Sequence, residues 1–195
     1  MRHVAKLMAA SAFAALLASA ALAQTPKDTI VMAKQIDDII TLDPAEAFEF
    51  SGVEVVTNLY DKLIGVDLKN NNALVGELAE SWTVSPDNLT YTFKLRNDVK
   101  FVSGNPMTAE DVVFSLDRMK AMGKGLSYLF ANVESAEAVD DSTVRFTLTK
   151  PYAPFVASLV RLPIVDKKTV MENLGEGEGE MKDWGAAYLP SQSAG

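Results

Sequence analysis

Two pairs of adjacent carboxylates, Asp37-Asp38 and Asp140-Asp141, are the nearest this chain comes to an acid–base site. Glycosidic hydrolysis would require two such groups to converge on one bond. Adjacent residues of an extended chain point to opposite sides, and both pairs fall in stretches that read as turns. They are therefore expected to be solvated turn residues, and a carboxylate-based secreted hydrolase stands only as a competing function.

Other chemistries are excluded by residue type. The single histidine is His3, and the chain has no cysteine. Beyond the leader there is thus neither imidazole nor thiol, which removes serine and cysteine triads and the usual zinc ligands. Gly123-Lys124-Gly125 runs into Leu126, so the phosphate-binding loop pattern is missing, and no strand is followed by G-x-G-x-x-G. No metal site and no cofactor are expected.

Arg2, His3 and Lys6 precede an uncharged, mostly apolar run from Leu7 to Leu22 that ends in small residues. That is the pattern of a secretory signal peptide over residues 1–23, with cleavage expected after Ala23 and a periplasmic location implied. A spanning helix is the alternative, but the run is short and alanine-rich. With no cysteine there is neither a lipid anchor nor a disulfide, and no later segment approaches the roughly 20 apolar residues that cross a bilayer. The net charge of −8 becomes about −10 once Arg2 and Lys6 leave. Such a chain is a poor partner for nucleic acid or an anionic membrane. No stable membrane insertion is expected, and a monomer is.

The elements that would position any site follow from local pattern. Thr29–Ala33 is a β-branched run that reads as a buried strand. Ser51 opens S-x-x-E with Glu54, a capping box, and predicts a helix from about Gly52 to Asp61. Beyond the Ser85-Pro86-Asp87-Asn88 turn, Leu89, Tyr91, Phe93 and Leu95 alternate with polar residues and predict a strand paired with Trp82–Val84. Ser103-Gly104-Asn105-Pro106 turns the chain into a helix capped by Thr108 and Asp111. Val112, Val113, Leu116 and Met119 form its buried face, Arg118 and Lys120 complement its dipole, and Gly123 or Gly125 ends it. Val133–Val139 and Val144–Leu148 flank Asp140-Asp141-Ser142 as a second hairpin. Pro154 opens a short helix, Leu162–Val165 reads as a strand, and Asp166–Leu174 as a helix. Gly175–Glu180 reads as a surface loop. Trp82 and Trp184 are expected in the core rather than as a stacking platform. Pattern alone gives an exported α/β or α+β protein without a catalytic set.

The run Leu78–Arg118 (LAESWTVSPDNLTYTFKLRNDVKFVSGNPMTAEDVVFSLDR) closely resembles the signature region of the extracellular solute-binding proteins of the peptide and nickel class, family 5. These are the binding components of ATP-driven importers. Leu42-Asp43-Pro44, Tyr60–Ile64 and Lys150–Phe155 extend the resemblance over nearly the whole mature chain. The resemblance implies an α/β fold of the type II periplasmic binding protein kind. Residues 24–64 would begin the large lobe, 65–160 would form a small extra subdomain, and 161–195 would return to the large lobe. Family members are more than twice this long, so the second lobe is absent from this chain, which either is part of a longer protein or is a truncated product. The ligand lies between two lobes that close by hinge motion. The Ser103–Pro106 turn and the helix after it are then expected to be scaffold.

The resemblance also implies function. The chain would capture dipeptides or oligopeptides and deliver them to the permease subunits of the importer, catalysing nothing. Relatives that bind a nickel chelate, haem or glutathione supply the alternative ligand. The stretch Phe48-Glu49-Phe50-Ser51 resembles the family segment lining the cleft: Phe48 would be a wall, Glu49 would meet an ammonium, and Ser51 would add a polar contact. The alternative is that Phe48 and Phe50 staple the helix and Ser51 only caps it. Tyr128 stands where relatives place an aromatic facing the ligand, with ordinary packing as the alternative. Arg161 stands where some relatives set a basic residue against a ligand carboxylate, against simple solvation.

Overall fold

The computed structural model describes residues 25–195. The expected signal peptide and its cleavage after Ala23 lie outside these residues. The chain divides into a unit ending at Gln35 and a unit Ile36–Gly195. In the first, the described residues form one turn closed by the Thr29 amide on the Pro26 carbonyl and are otherwise without helix or strand, and all are exposed, with Ile30 at 95% accessibility. Thr29–Ala33 therefore is not the buried strand that its composition suggests: it joins no ladder. β-Branched composition supplies the propensity for a strand, but a strand also needs a neighbour to accept its hydrogen bonds.

The second unit is built from helix α1 (Phe50–Leu59), strands β1 (Ile64–Asp67), β2 (Ala73–Gly76), β3 (Ala79–Val84) and β4 (Thr90–Leu95), helix α2 (Ala109–Met122), strands β5 (Val133–Asp140) and β6 (Thr143–Leu148), and short helices α3 (Phe155–Ser158) and α4 (Lys167–Glu172). β1 and β2 form a hairpin around Asn71 and Asn72, both in the left-handed region that asparagine tolerates. The other four strands form an antiparallel sheet in the order β3-β4-β6-β5. Both expected hairpins are present, with Trp82 opposite Phe93 and Ala138 opposite Val144.

Alternation places Tyr91, Phe93 and Leu95 of β4 beside Val144, Phe146 and Leu148 of β6, all buried on one face. Phe93 and Phe146 meet edge to face at 5.6 Å, and Trp82 stacks on Phe93 at 6.2 Å, so Trp82 belongs to the core as expected. Helix α2 lies across β5 and β6, inserting Val112, Leu116 and Met119. Its start is as the sequence predicts. Thr108 and Asp111 form the reciprocal capping box, and Gly123, at φ 62°, ends the helix in the left-handed conformation that glycine takes without steric cost.

The Ser103–Pro106 turn has a structural use. Ser103 Oγ and Asn105 Nδ2 donate to the Asp166 carboxylate at 2.7 and 2.8 Å, and Asp166 also caps α4 through the Thr169 amide at 3.1 Å. Asp111 Oδ1 accepts the Lys167 amide at 2.9 Å, so the starts of α2 and α4 are tied together. Burial raises the Asp111 carboxyl above its usual range despite its Thr108 and Lys167 donors. Burial acts in the same sense on Asp166, but donors from Thr169, Ser103 and Asn105 outweigh it and hold the group below its ordinary value of 3.8. A depressed carboxyl stabilises the folded state fully above about pH 3.8 and loses that contribution as pH falls through the lower folded value. Asp166→Asn is expected to cost about 1–3 kcal/mol at neutral pH, because a buried carboxylate that accepts from Ser103, Asn105 and Thr169 is replaced by an amide that cannot accept all of them. The gap from wild type should narrow below pH 3.8, as read by urea unfolding across pH.

Two further expectations are corrected. Leu162–Val165 is not a strand: Pro163 has no amide hydrogen, and the neighbouring amides go to isolated acceptors, Ile164 to the Asp61 carbonyl and Val165 to Ser115 Oγ. Helix α1 begins at Phe50, with Glu49 rather than Ser51 as the residue before its first turn. The Ser51 amide, one of the donors left over at a helix start, is taken by Asp38 Oδ2 at 3.0 Å. A carboxylate thirteen residues away thus meets a need that the S-x-x-E pattern would have met locally.

Candidate functional site

The segment leading to α1 is held at Asp43. Arg118, in the C-terminal half of α2, donates from Nη1 to Asp43 Oδ1 at 2.7 Å and from Nη2 to Oδ2 at 2.5 Å, with both side chains only 1% exposed. Arg118 Nε donates to the Trp184 carbonyl at 2.6 Å. The sequence reading assigns Arg118 only the role of complementing the helix dipole; it is also one half of a buried, bidentate ion pair. Trp184 is in the left-handed region at φ 57°, and its ring packs against Phe114 at 5.9 Å, in keeping with the core role expected of it.

From this anchor the chain rises to Phe48 and Phe50, which are 59% and 93% exposed. Such exposure leaves little of the Phe50 ring to pack as a staple over the helix. Glu49 between them is half-buried; one carboxylate oxygen accepts the Phe48 amide at 3.3 Å, and no ion pair engages it among the described residues. It stands at the N-terminus of α1, where the backbone amides and the helix dipole attract negative charge. Ser51 is buried in the first turn of α1 and does not act as the cap.

Tyr128 lies in a short 3-10 turn, Ser127–Phe130, and is 63% exposed, so it is not a packed core tyrosine. Its turn follows Gly125, which sits against the Asp43–Ala47 turn: a Cβ there would lie 2.9 Å from the carbonyl oxygens of Ala45 and Glu46. Lys124 bridges to Glu46 at 2.8 Å. Arg161 is exposed, makes no ion pair among the described residues, and shares a shallow depression of about 20 Å³ with Ala47, Val53 and Leu126. The segments carrying Phe48–Ser51, Tyr128 and Arg161 therefore meet around the Asp43–Ala47 turn. They form an open wall, not an enclosed cavity. Asp37, Asp38 and Asp141 are turn residues as expected, while Asp140 is the last residue of β5, where it accepts from Ser142 and Thr143. Among the described residues no group of acids could hold a metal ion, and no helix is long and apolar enough to cross a membrane.

Comparison with known proteins defines the class. The model of the bacterial extracellular solute-binding proteins, family 5 middle region, matches residues 73–191, more than half of the chain. The protein belongs to the family 5 bacterial extracellular solute-binding proteins, and its α/β architecture is part of the type II periplasmic binding protein fold. The probable D,D-dipeptide-binding periplasmic protein DdpA of Escherichia coli (strain K12) is 37% identical over 140 residues, which cover 70% of this chain and 27% of that protein. The glutathione-binding protein GsiB of Shigella boydii serotype 4 (strain Sb227) is 34% identical over 194 residues, covering 93% of this chain and 37% of that protein. Among solved structures, the binding protein MoaA of A. tumefaciens R10 in complex with mannopinic acid superposes with a TM-score of 0.63 at 37% identity. That match covers 68% of this chain and 28% of that one. The chain thus spans between about a quarter and two fifths of the length of these relatives.

Proposed function

We propose that this chain supplies one wall of the ligand cleft of a periplasmic binding protein that captures dipeptides or short oligopeptides and hands them to the permease of an ATP-driven importer. It catalyses nothing in this role. Residues 65–160 would form the extra subdomain, with the segments before and after it in the large lobe. One apolar cluster is centred on the four-stranded sheet and reaches Ala45, Leu63, Ile64, Leu162 and Ile164, and the other joins Val56 and Tyr60 to Phe114, Val165, Val170 and Leu189.

The observation that carries the ligand class is Glu49, a half-buried carboxylate without an ion-pair partner among the described residues, flanked by two exposed phenylalanines. A carboxylate beside apolar rings suits a peptide ammonium and its first side chain. Main-chain hydrogen bonding along an extended peptide would accept many sequences. The names of the relatives that bind a dipeptide and glutathione support the same class. Tyr128 would add an aromatic contact, and Arg161, free of acidic partners among the described residues, would meet a carboxylate.

Calorimetric titration of the intact protein with D-alanyl-D-alanine, L-dipeptides and glutathione, against a nickel–histidine chelate, tests the class. Saturable binding of at least one peptide is expected. Binding of the chelate with no peptide bound would overturn the peptide reading while leaving the family intact.

A further inference from the structure

Asp43 organises the approach to the candidate wall almost single-handedly. No helix or strand is formed from Thr41 to Glu49. Within that stretch, Asp43 Oδ1 accepts the Ala45 amide at 2.9 Å, and its main-chain carbonyl accepts the amides of Glu46 at 3.0 Å and Ala47 at 2.8 Å. Its own amide donates to Thr41 Oγ1 at 3.1 Å. Three successive amides thus end on one residue, whose carboxylate is clamped by both terminal nitrogens of Arg118.

Apolar packing contributes little to placing this stretch. Its buried apolar groups are the Pro44 ring and the methyl groups of Ala45 and Ala47, while Phe48 and Phe50 face outward. Further restraints are the Lys124–Glu46 ion pair, the Asp38 carboxylate on the Ser51 amide, and Gly125, whose missing side chain leaves room for the Ala45 and Glu46 carbonyls. Gly125 lies seven residues beyond Arg118 and three before Tyr128. The same short piece of chain that holds the turn therefore also carries the aromatic candidate.

We propose that the buried Arg118–Asp43 ion pair is the positioning device of the ligand wall. It fixes where Phe48, Glu49 and Phe50 stand relative to Tyr128, although neither Arg118 nor Asp43 touches the ligand. This rests on Phe48–Phe50 facing the ligand. Geometry supports a positioning role over a general one: the pair tethers a segment that has no ladder, no helix and almost no apolar anchor of its own. The four-stranded sheet has its own aromatic core. Buried ion pairs are often replaceable by neutral groups without loss of stability, so what such a pair supplies is a fixed geometry.

Amide hydrogen exchange of the intact, ligand-free protein tests this. The neutral double variant Asp43→Asn/Arg118→Gln avoids leaving a lone buried charge. In it, the amides of residues 45–53 and 125–131 are expected to exchange about tenfold faster or more, while those of β4 and β6 keep wild-type rates. Arg118→Lys, which retains the charge and cannot reproduce the two-pronged contact, should accelerate the same two segments to a smaller degree. Wild-type rates in both segments would overturn the proposal, as would acceleration by the same factor in β4 and β6, the mark of a merely global effect. The measurement needs no ligand. A failed peptide titration would therefore count against the wall's function and leave the tether standing, whereas unchanged exchange alongside peptide binding would do the reverse.

Discussion

Arg118→Met is expected to destabilise the protein by about 3–5 kcal/mol, the largest single effect foreseen here. The guanidinium is 1% exposed and meets an equally buried carboxylate through two short hydrogen bonds, with a third to the Trp184 carbonyl. Methionine fills much of the volume but leaves Asp43 charged, buried and without a cation. Desolvation of that lone carboxylate, rather than the lost attraction, supplies most of the penalty. The effect should appear as a lower urea midpoint with an unchanged slope, since the surface exposed on unfolding is the same. In the double variant Asp43→Asn/Arg118→Gln no charge is stranded, so its loss should be well below that of Arg118→Met. A double variant no more stable than Arg118→Met would mean that shape, not charge burial, dominates the pair.

This ion pair also marks where the sequence stopped being legible. The partners are 75 residues apart, and Arg118 sits in a helical turn where a surface cation satisfies every local rule. Only tertiary structure reveals that the α2 face carrying it is turned inward. Local features, by contrast, could be read directly. The alternation Tyr91-Phe93-Leu95, the Thr108–Asp111 box and the Gly123 terminator each depend on neighbours within a few residues, and each is found. The resemblance of Leu78–Arg118 to its family identified the fold that comparison now shows.

The misread elements share one cause, a partner outside the window of local pattern. Thr29–Ala33 has the composition of a strand and no ladder. The start of α1 differs because the Ser51 amide, which Glu54 would accept in a capping box, goes instead to Asp38, thirteen residues away. Leu162–Val165 spends its amides on acceptors from three separate regions. In the candidate site, sequence placed Phe48, Glu49, Phe50, Ser51, Tyr128 and Arg161 by resemblance alone. The structure turns the two phenylalanines and Tyr128 outward, buries Ser51, and shows that one turn at Asp43 carries the segment.

The second large effect concerns Glu49 and the ligand ammonium. If Glu49 accepts that group, the charge-assisted hydrogen bond is worth about 1.5–3 kcal/mol, which corresponds to roughly tenfold to a hundredfold in affinity. N-acetylation of a dipeptide removes the positive charge while sparing both side chains and the carboxylate. Glu49→Gln removes the negative charge with little change of shape, and because Glu49 is half-buried at a helix start the variant should fold normally.

The most direct test of the account is therefore calorimetric titration of the intact wild-type protein and of Glu49→Gln with the best-binding dipeptide and with its N-acetyl form. The expected result is that wild type prefers the free dipeptide by about tenfold or more, and that most of this preference disappears in Glu49→Gln. If Glu49→Gln retained the full wild-type preference, the ammonium would be recognised elsewhere, and the wall formed by Phe48–Phe50 would not be the peptide-binding surface described here.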